Sequence, residues 1–222
     1  MINLGAYMQF MGISTFPQFE IEYFEPDLNK EYTSFAQAVY DRERKKHTLM
    51  LPSRETPQFL LYHELTHMYD MERFKTGEMN YDFCLTGFME YHASQVELMV
   101  MMGAGMVDDN ISFSMNDSVN SLDLSVHQYL NSKLVAAGNC ISDSNQQIRL
   151  TGLGVFYNFL GLKSVCNMYS TDFIDDFDCR KIVDRLSSIL FFDIRQYMTG
   201  WITDVDKTVA LYSHAVNAVT IL

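Results

Sequence analysis

The run TPQFLLYHELTHMYDMERFKTG, residues 56–77, constrains this chain most, because its pattern admits a helix and little else. Thr56 offers a capping oxygen, Pro57 suits the first helical position where its missing N–H is harmless, and Gly77 suits a left-handed stop. Leu61, Leu65 and Met68 recur at helical spacing and form one buried face. His63 and His67 lie on the other side, in line with Leu60 and Met71. A helix that is apolar on both flanks is covered on both, so this one is predicted to form the floor of a cleft.

Within that helix His63-Glu64-Leu65-Thr66-His67 is an HExxH pattern. Residues four apart lie one turn apart on the same face, so both imidazoles can reach one cation. Glu64 follows the first of them and points to the flank, where a carboxylate serves as a general base beside an activated water. A zinc ion held there lowers the pKa of such a water towards about 7. Two histidines alone make a poor zinc site, since a catalytic zinc takes three protein ligands and one open position.

The segment Glu90-Tyr91-His92-Ala93-Ser94 lies on a second predicted helix, from about Thr86 to Met102. With HELTH it resembles the gluzincin branch of the zincin metallopeptidases, whose second metal helix carries Glu-x-x-Ala and then a polar residue. The nearest likeness is to small bacterial or mobile-element gluzincins of the ImmA/IrrE-like group, over residues 35 to 100. The resemblance implies a Zn2+ cofactor held by His63, His67 and Glu90, catalysis by Glu64, and a peptide or protein substrate. It places Ser94 where the family often has an Asp that orients the first metal histidine, and serine is a weaker orienting group. The metzincin extension fails, because Asp70 and Arg73 stand where Gly and His or Asp would be required.

The residues keep alternatives open. Glu90, Ala93, Ser94 and Glu97 fall on one helical face, so Glu97 is a rival ligand, and Asp70 could coordinate or bond a ligand imidazole from outside. Tyr91, Tyr157, Tyr212 and His214 are all conceivable oxyanion-stabilising groups. His92 points away from the Glu90 face. The strand His47 to Leu51, just before the HELTH helix, is where the resemblance would put substrate backbone contacts.

Around this centre the expected class is α+β, a zincin-like core of small mixed sheet, active-site helix and third-ligand helix, followed by a mostly helical C-terminal half. A hairpin is predicted from Gln37 to Tyr40 and His47 to Leu51 about the basic turn Arg42, Arg44, Lys45 and Lys46. Later helices are expected from Ser121 to Ala137, from Ser144 to Tyr169, and with breaks from Asp175 to Leu222, with Asp172 to Asp178 a solvated acidic loop. A division near residue 110 separates a metal-binding region, 1–110, from a helical region, 111–222, that offers a surface to a protein partner. The net charge of -12 argues against nucleic acid and anionic membranes as partners. Four scattered cysteines (Cys84, Cys140, Cys166, Cys179) without a CxxC pair, no secretory signal pattern and no long apolar run predict a cytoplasmic chain with reduced thiols. A metal of purely structural use in a regulatory protein is the competing functional expectation.

Overall fold

A computed structural model of the chain describes residues 3–25, 36–52, 55–119 and 123–221. It is mixed α+β, with a small sheet and predominantly helical content. A short helix α1 (Leu4–Phe10) leads into strand β1 (Phe19–Phe24), and the hairpin follows as β2 (Gln37–Asp41) and β3 (Lys46–Pro52). Its turn has a local cause. Asp41 Oδ1 accepts the N–H groups of both Glu43 and Arg44, and Lys45 takes the left-handed conformation at φ 53° that reverses the chain. The basic side chains stay at the surface, Arg44 against Asp41 and Lys46 against Glu20.

The strand order is β1-β3-β2, with β1 parallel to β3 and β2 antiparallel to it. The strand carrying His47 to Leu51 is therefore central, with its backbone groups used on both sides, and the expected substrate contacts there are corrected. The edge beside the following helix belongs to β2. Along β3 the alternation puts His47, Leu49 and Leu51 into the core.

The helix α2 (Gln58–Phe74) begins one residue later than Thr56 and Pro57 suggest, with Pro57 at the cap and no side-chain cap bond. It ends at Lys75, whose extended backbone stops it, and Gly77 uses its φ of 85° in the turn beyond. The turn is held by Asp82, which accepts from Thr76 N and Gly77 N. Leu65 and Met68 are fully buried, each contributing roughly 1.5–3 kcal/mol of transfer free energy. Tyr7 and Phe10 of α1 pack edge-on against Tyr62 at 5.2 and 5.4 Å between ring centres, and Tyr7 Oη donates to Thr66 Oγ1 at 3.2 Å. This covers the flank of α2 that carries Tyr62 and Thr66.

A short α3 (Met79–Cys84) turns the chain into α4 (Thr86–Met101), which packs on α2. Beyond it come α5 (Val126–Ile141), α6 (Gln146–Tyr169), α7 (Arg180–Leu186), α8 (Ser188–Tyr197) and α9 (Val205–Thr220). The first of these starts later than Ser121, a residue outside the described ones. Ser125 caps it instead, in a reciprocal capping box with Gln128. Asn145 caps α6, its side chain accepting from Gln147 N and Ile148 N, so the helix starts two residues after Ser144.

Buried α6 lies against both α4 and α5, and glycine makes this possible. A Cβ on Gly161 would stand 2.2 Å from the Tyr91 carbonyl oxygen, and one on Gly152 would stand 2.7 Å from the Ile141 nitrogen. Both neighbours are backbone and cannot yield, so only glycine allows this spacing. The hydrophobic core runs without a break from Tyr7 in α1 to Val219 in α9, across the division at residue 110. All four cysteines are free thiols. Among the described residues no helix is long and apolar enough to cross a membrane.

Candidate metal centre

One turn of α2 separates His63 from His67, and their side chains converge as that spacing requires. Their Nε2 atoms lie 3.0 Å apart. Glu90, reaching over from α4, sets Oε2 at 3.7 Å from His63 Nε2 and 3.5 Å from His67 Nε2. Tetrahedral zinc with Zn–N near 2.0–2.1 Å separates its ligand atoms by about 3.3 Å, so the three observed edges straddle the value the ion would impose. The donor chemistry fits as well: two imidazole nitrogens and one carboxylate oxygen, a borderline set that zinc favours. Glu97, the rival ligand, stands on the other side of the His63 ring.

The electrostatics follow from burial. His63 and His67 are 7% and 8% exposed. Two Nε2 atoms at 3.0 Å require either a proton or a cation between them. Burial pulls the His63 pKa down, but the Glu90 and Glu97 carboxylates overcome it and push the value up to about 10. Burial would raise Glu90, yet the charges of His67 and His63 hold it far below the ordinary carboxylate range. The cluster thus keeps an ionised carboxylate and a positive charge together, and a divalent cation can replace the proton.

The groups behind the cluster differ from the expected ones. Glu97 Oε2 lies 2.7 Å from His63 Nδ1 as an ion pair, without the alignment of a hydrogen bond, and a small turn of the ring would let the carboxylate fix its tautomer and leave Nε2 for the cation. Tyr129 Oη of α5 makes a short contact to Glu97 Oε1. Burial raises Glu97, while Lys133 and His63 hold it down at about 2. Ser94 does not orient a histidine: its Oγ donates to Asn158 Oδ1 at 2.8 Å, because its face of α4 is closed by α6 at Gly161. Asp70 is also corrected. It is fully buried and pairs through Oδ2 with His92 Nδ1 at 2.8 Å, tying α2 to α4 one turn beyond the cluster.

Glu64 accepts a 2.7 Å hydrogen bond at Oε2 from the Ala38 N–H of β2. The edge strand thereby fixes the carboxylate beside the histidines. Burial lifts the Glu64 pKa above the ordinary carboxylate range, against the pull of His67, His63 and the Ala38 N–H. A raised carboxyl pKa suits proton transfer near neutrality.

The tyrosines left open by the sequence now separate. Tyr91 Oη donates to the Gly200 carbonyl, away from the cluster, and His214 is exposed on α9. Tyr212 is buried, and the negative charge of Glu90 helps burial keep its phenol protonated. Tyr157 stacks edge-on against Tyr212 at 4.9 Å between ring centres, and its hydroxyl has no hydrogen-bond partner among the described residues. Gly154 of α6 also faces Glu90, where an added Cβ would sit 3.7 Å from Oε1. Helices α6 and α9 therefore wall the Glu90 side, a contribution of the C-terminal half that no local motif signals.

No protein-family model, curated protein or solved structure matches this chain. The geometry therefore carries the functional reading by itself.

The role of Glu97 is testable directly. Glu97→Ala should weaken zinc binding by roughly 10–100-fold, as loss of an orienting carboxylate does elsewhere. Glu97→Gln keeps an acceptor for Nδ1–H and should lose less. Competition with a chromogenic chelator measures both, and equal affinity in all three proteins would remove Glu97 from the site.

Proposed function

We propose that this chain is a zinc-dependent hydrolase of the zincin type, a metallopeptidase acting on a peptide or protein. The observation that carries the reading is the convergence of His63 Nε2, His67 Nε2 and a Glu90 oxygen within 4.8 Å of one another, with the half-buried Glu64 next to His63 on the same helix. His63, His67 and Glu90 would hold the ion. When bound, zinc supplies a Lewis acid that polarises a carbonyl and favours water as a nucleophile at neutral pH.

The chain's own groups divide the remaining work. Ala38 N–H holds Glu64 Oε2, which leaves Oε1 to take a proton from water and later deliver it to the leaving amine. Glu97 orients His63 from behind, and Tyr129 holds Glu97. In this reading helix α2, helix α4 and the three-stranded sheet would make up the catalytic core. The outward edge of β2, beside Glu64, is the place for an extended substrate.

Metal content tests the reading first. Purified protein should carry about one zinc per chain, and His63→Ala and Glu90→Ala should each lose it while remaining folded. No zinc after reconstitution would turn the cluster into a proton-bridged packing contact. The near-complete burial of both histidines favours one other reading, a regulatory protein whose metal is structural. Both readings bind zinc, so hydrolysis that depends on Glu64 separates them.

A further inference from the structure

A second site lies on α6, where residues of α8 and of the loop 171–178 line a half-open cavity of about 370 Å3. Its lining includes Lys163, Phe173, Asp175, Phe191, Phe192 and Arg195. Lys163 Nζ and an Arg195 Nη atom both reach the same oxygen, Asp175 Oδ2, at 2.6 and 2.5 Å. One carboxylate therefore serves two cations, and the pocket keeps an excess positive charge in a protein whose net charge is -12.

The other acids of the loop are engaged elsewhere. Asp178 grips Arg180, Asp176 faces His127, and Asp172 accepts from Ser114, Met115 and Ser170. The Lys163 side chain is only 9% exposed, and its ammonium meets the Asp175 oxygen that it shares with Arg195. An ammonium has three donors and a guanidinium five, which leaves both groups able to take a further acceptor. Two cations sharing one carboxylate leave positive charge uncompensated, and a second anion would balance it. The walls beside this charge are aromatic. Phe192 stands 62% exposed at the rim, and Ile189, one turn earlier on α8, is 78% exposed. A cavity of this volume, apolar in its walls with a few convergent polar groups, has the character of a small-molecule site.

We propose that this pocket binds a small organic monoanion, a carboxylate joined to an aromatic or branched apolar body. The carboxylate takes the free donors of Lys163 and Arg195, and the apolar body covers Phe173, Phe191 and Phe192. The site is independent of the metal centre and of the hydrolase reading.

Calorimetric titration with 3-phenylpropionate and its neutral amide, 3-phenylpropionamide, tests this on the full chain. The acid should bind at least tenfold tighter than the amide. Arg195→Gln, at a part-exposed position that folding should tolerate, should erase that preference. Asp175→Asn should have the opposite effect and tighten the acid severalfold, because the competing carboxylate is gone. N-acetylphenylalanine distinguishes the source of the anion: tighter binding than phenylpropionate points to a peptide C-terminus, equal or weaker binding to a free metabolite. Equal affinity for acid and amide, no binding of either at millimolar concentration, or an acid preference that survives Arg195→Gln would overturn the proposal. If Asp175→Asn fails to fold, the Arg195→Gln comparison decides alone.

Discussion

Glu64→Gln should retain zinc and lose hydrolysis by about 10²–10⁴-fold or more, the contribution of a positioned general base. The substitution is nearly isosteric, and the side-chain carbonyl can still accept from Ala38 N–H, so the β2 contact and the fold survive. What disappears is the ability to hold a proton. Metal stoichiometry and peptide cleavage, measured on the same preparation, give the answer. A variant with full zinc and full activity would sink the mechanism, and a wild type with full zinc and no cleavage of any peptide or protein tried would favour the structural-metal reading.

Zinc should also raise the melting temperature, and by more at alkaline than at acid pH. At free zinc about 1,000 times Kd, linkage supplies roughly 4 kcal/mol. In a chain of this size that corresponds to about 8–16 °C. The pH dependence follows from His63. Its pKa is about 10 in the folded protein against an ordinary value of 6.5. In the metal-free protein its proton therefore stabilises the fold fully below pH 6.5, and that contribution fades as pH rises through about 10. Zinc takes the proton's place, so the competition it faces weakens across the same window. Scanning calorimetry with and without zinc at several pH values measures the difference. A zinc shift that shrinks from pH 6.5 to pH 9, or that persists in Glu90→Ala, would contradict the three-residue site.

The parts of this protein legible in its sequence are those governed by short-range periodicity. The hairpin and the helices bearing HELTH and Glu90 follow from patterns within about 20 residues, and the structure places them within a residue or two of expectation. The convergence of His63 with His67 is likewise local, because a helix fixes it. Glu90 is a ligand candidate by family resemblance alone, and the packing of α4 on α2 brings it to the histidines.

Ser94 and Asp70 show where local reasoning ends. Each sits on the expected helical face, but helix packing supplied each with a nearer partner, Asn158 for one and His92 for the other. The orienting group became Glu97, one turn further along α4, because Tyr129 and Lys133 of α5 help keep its carboxylate ionised at depth. The edge role of β2 was hidden as well, since strand order depends on a β1–β3 pairing across more than 20 residues.

By itself, then, the sequence determined the mixed α+β class and the histidine pair, because a helical turn and a pleated strand have fixed periods. Only the tertiary structure decided which carboxylate backs His63, which strand edge reaches Glu64, and that Lys163 and Arg195 share one aspartate. Those contacts join residues 12 to 34 positions apart on different elements, and only the packing of those elements brings them together.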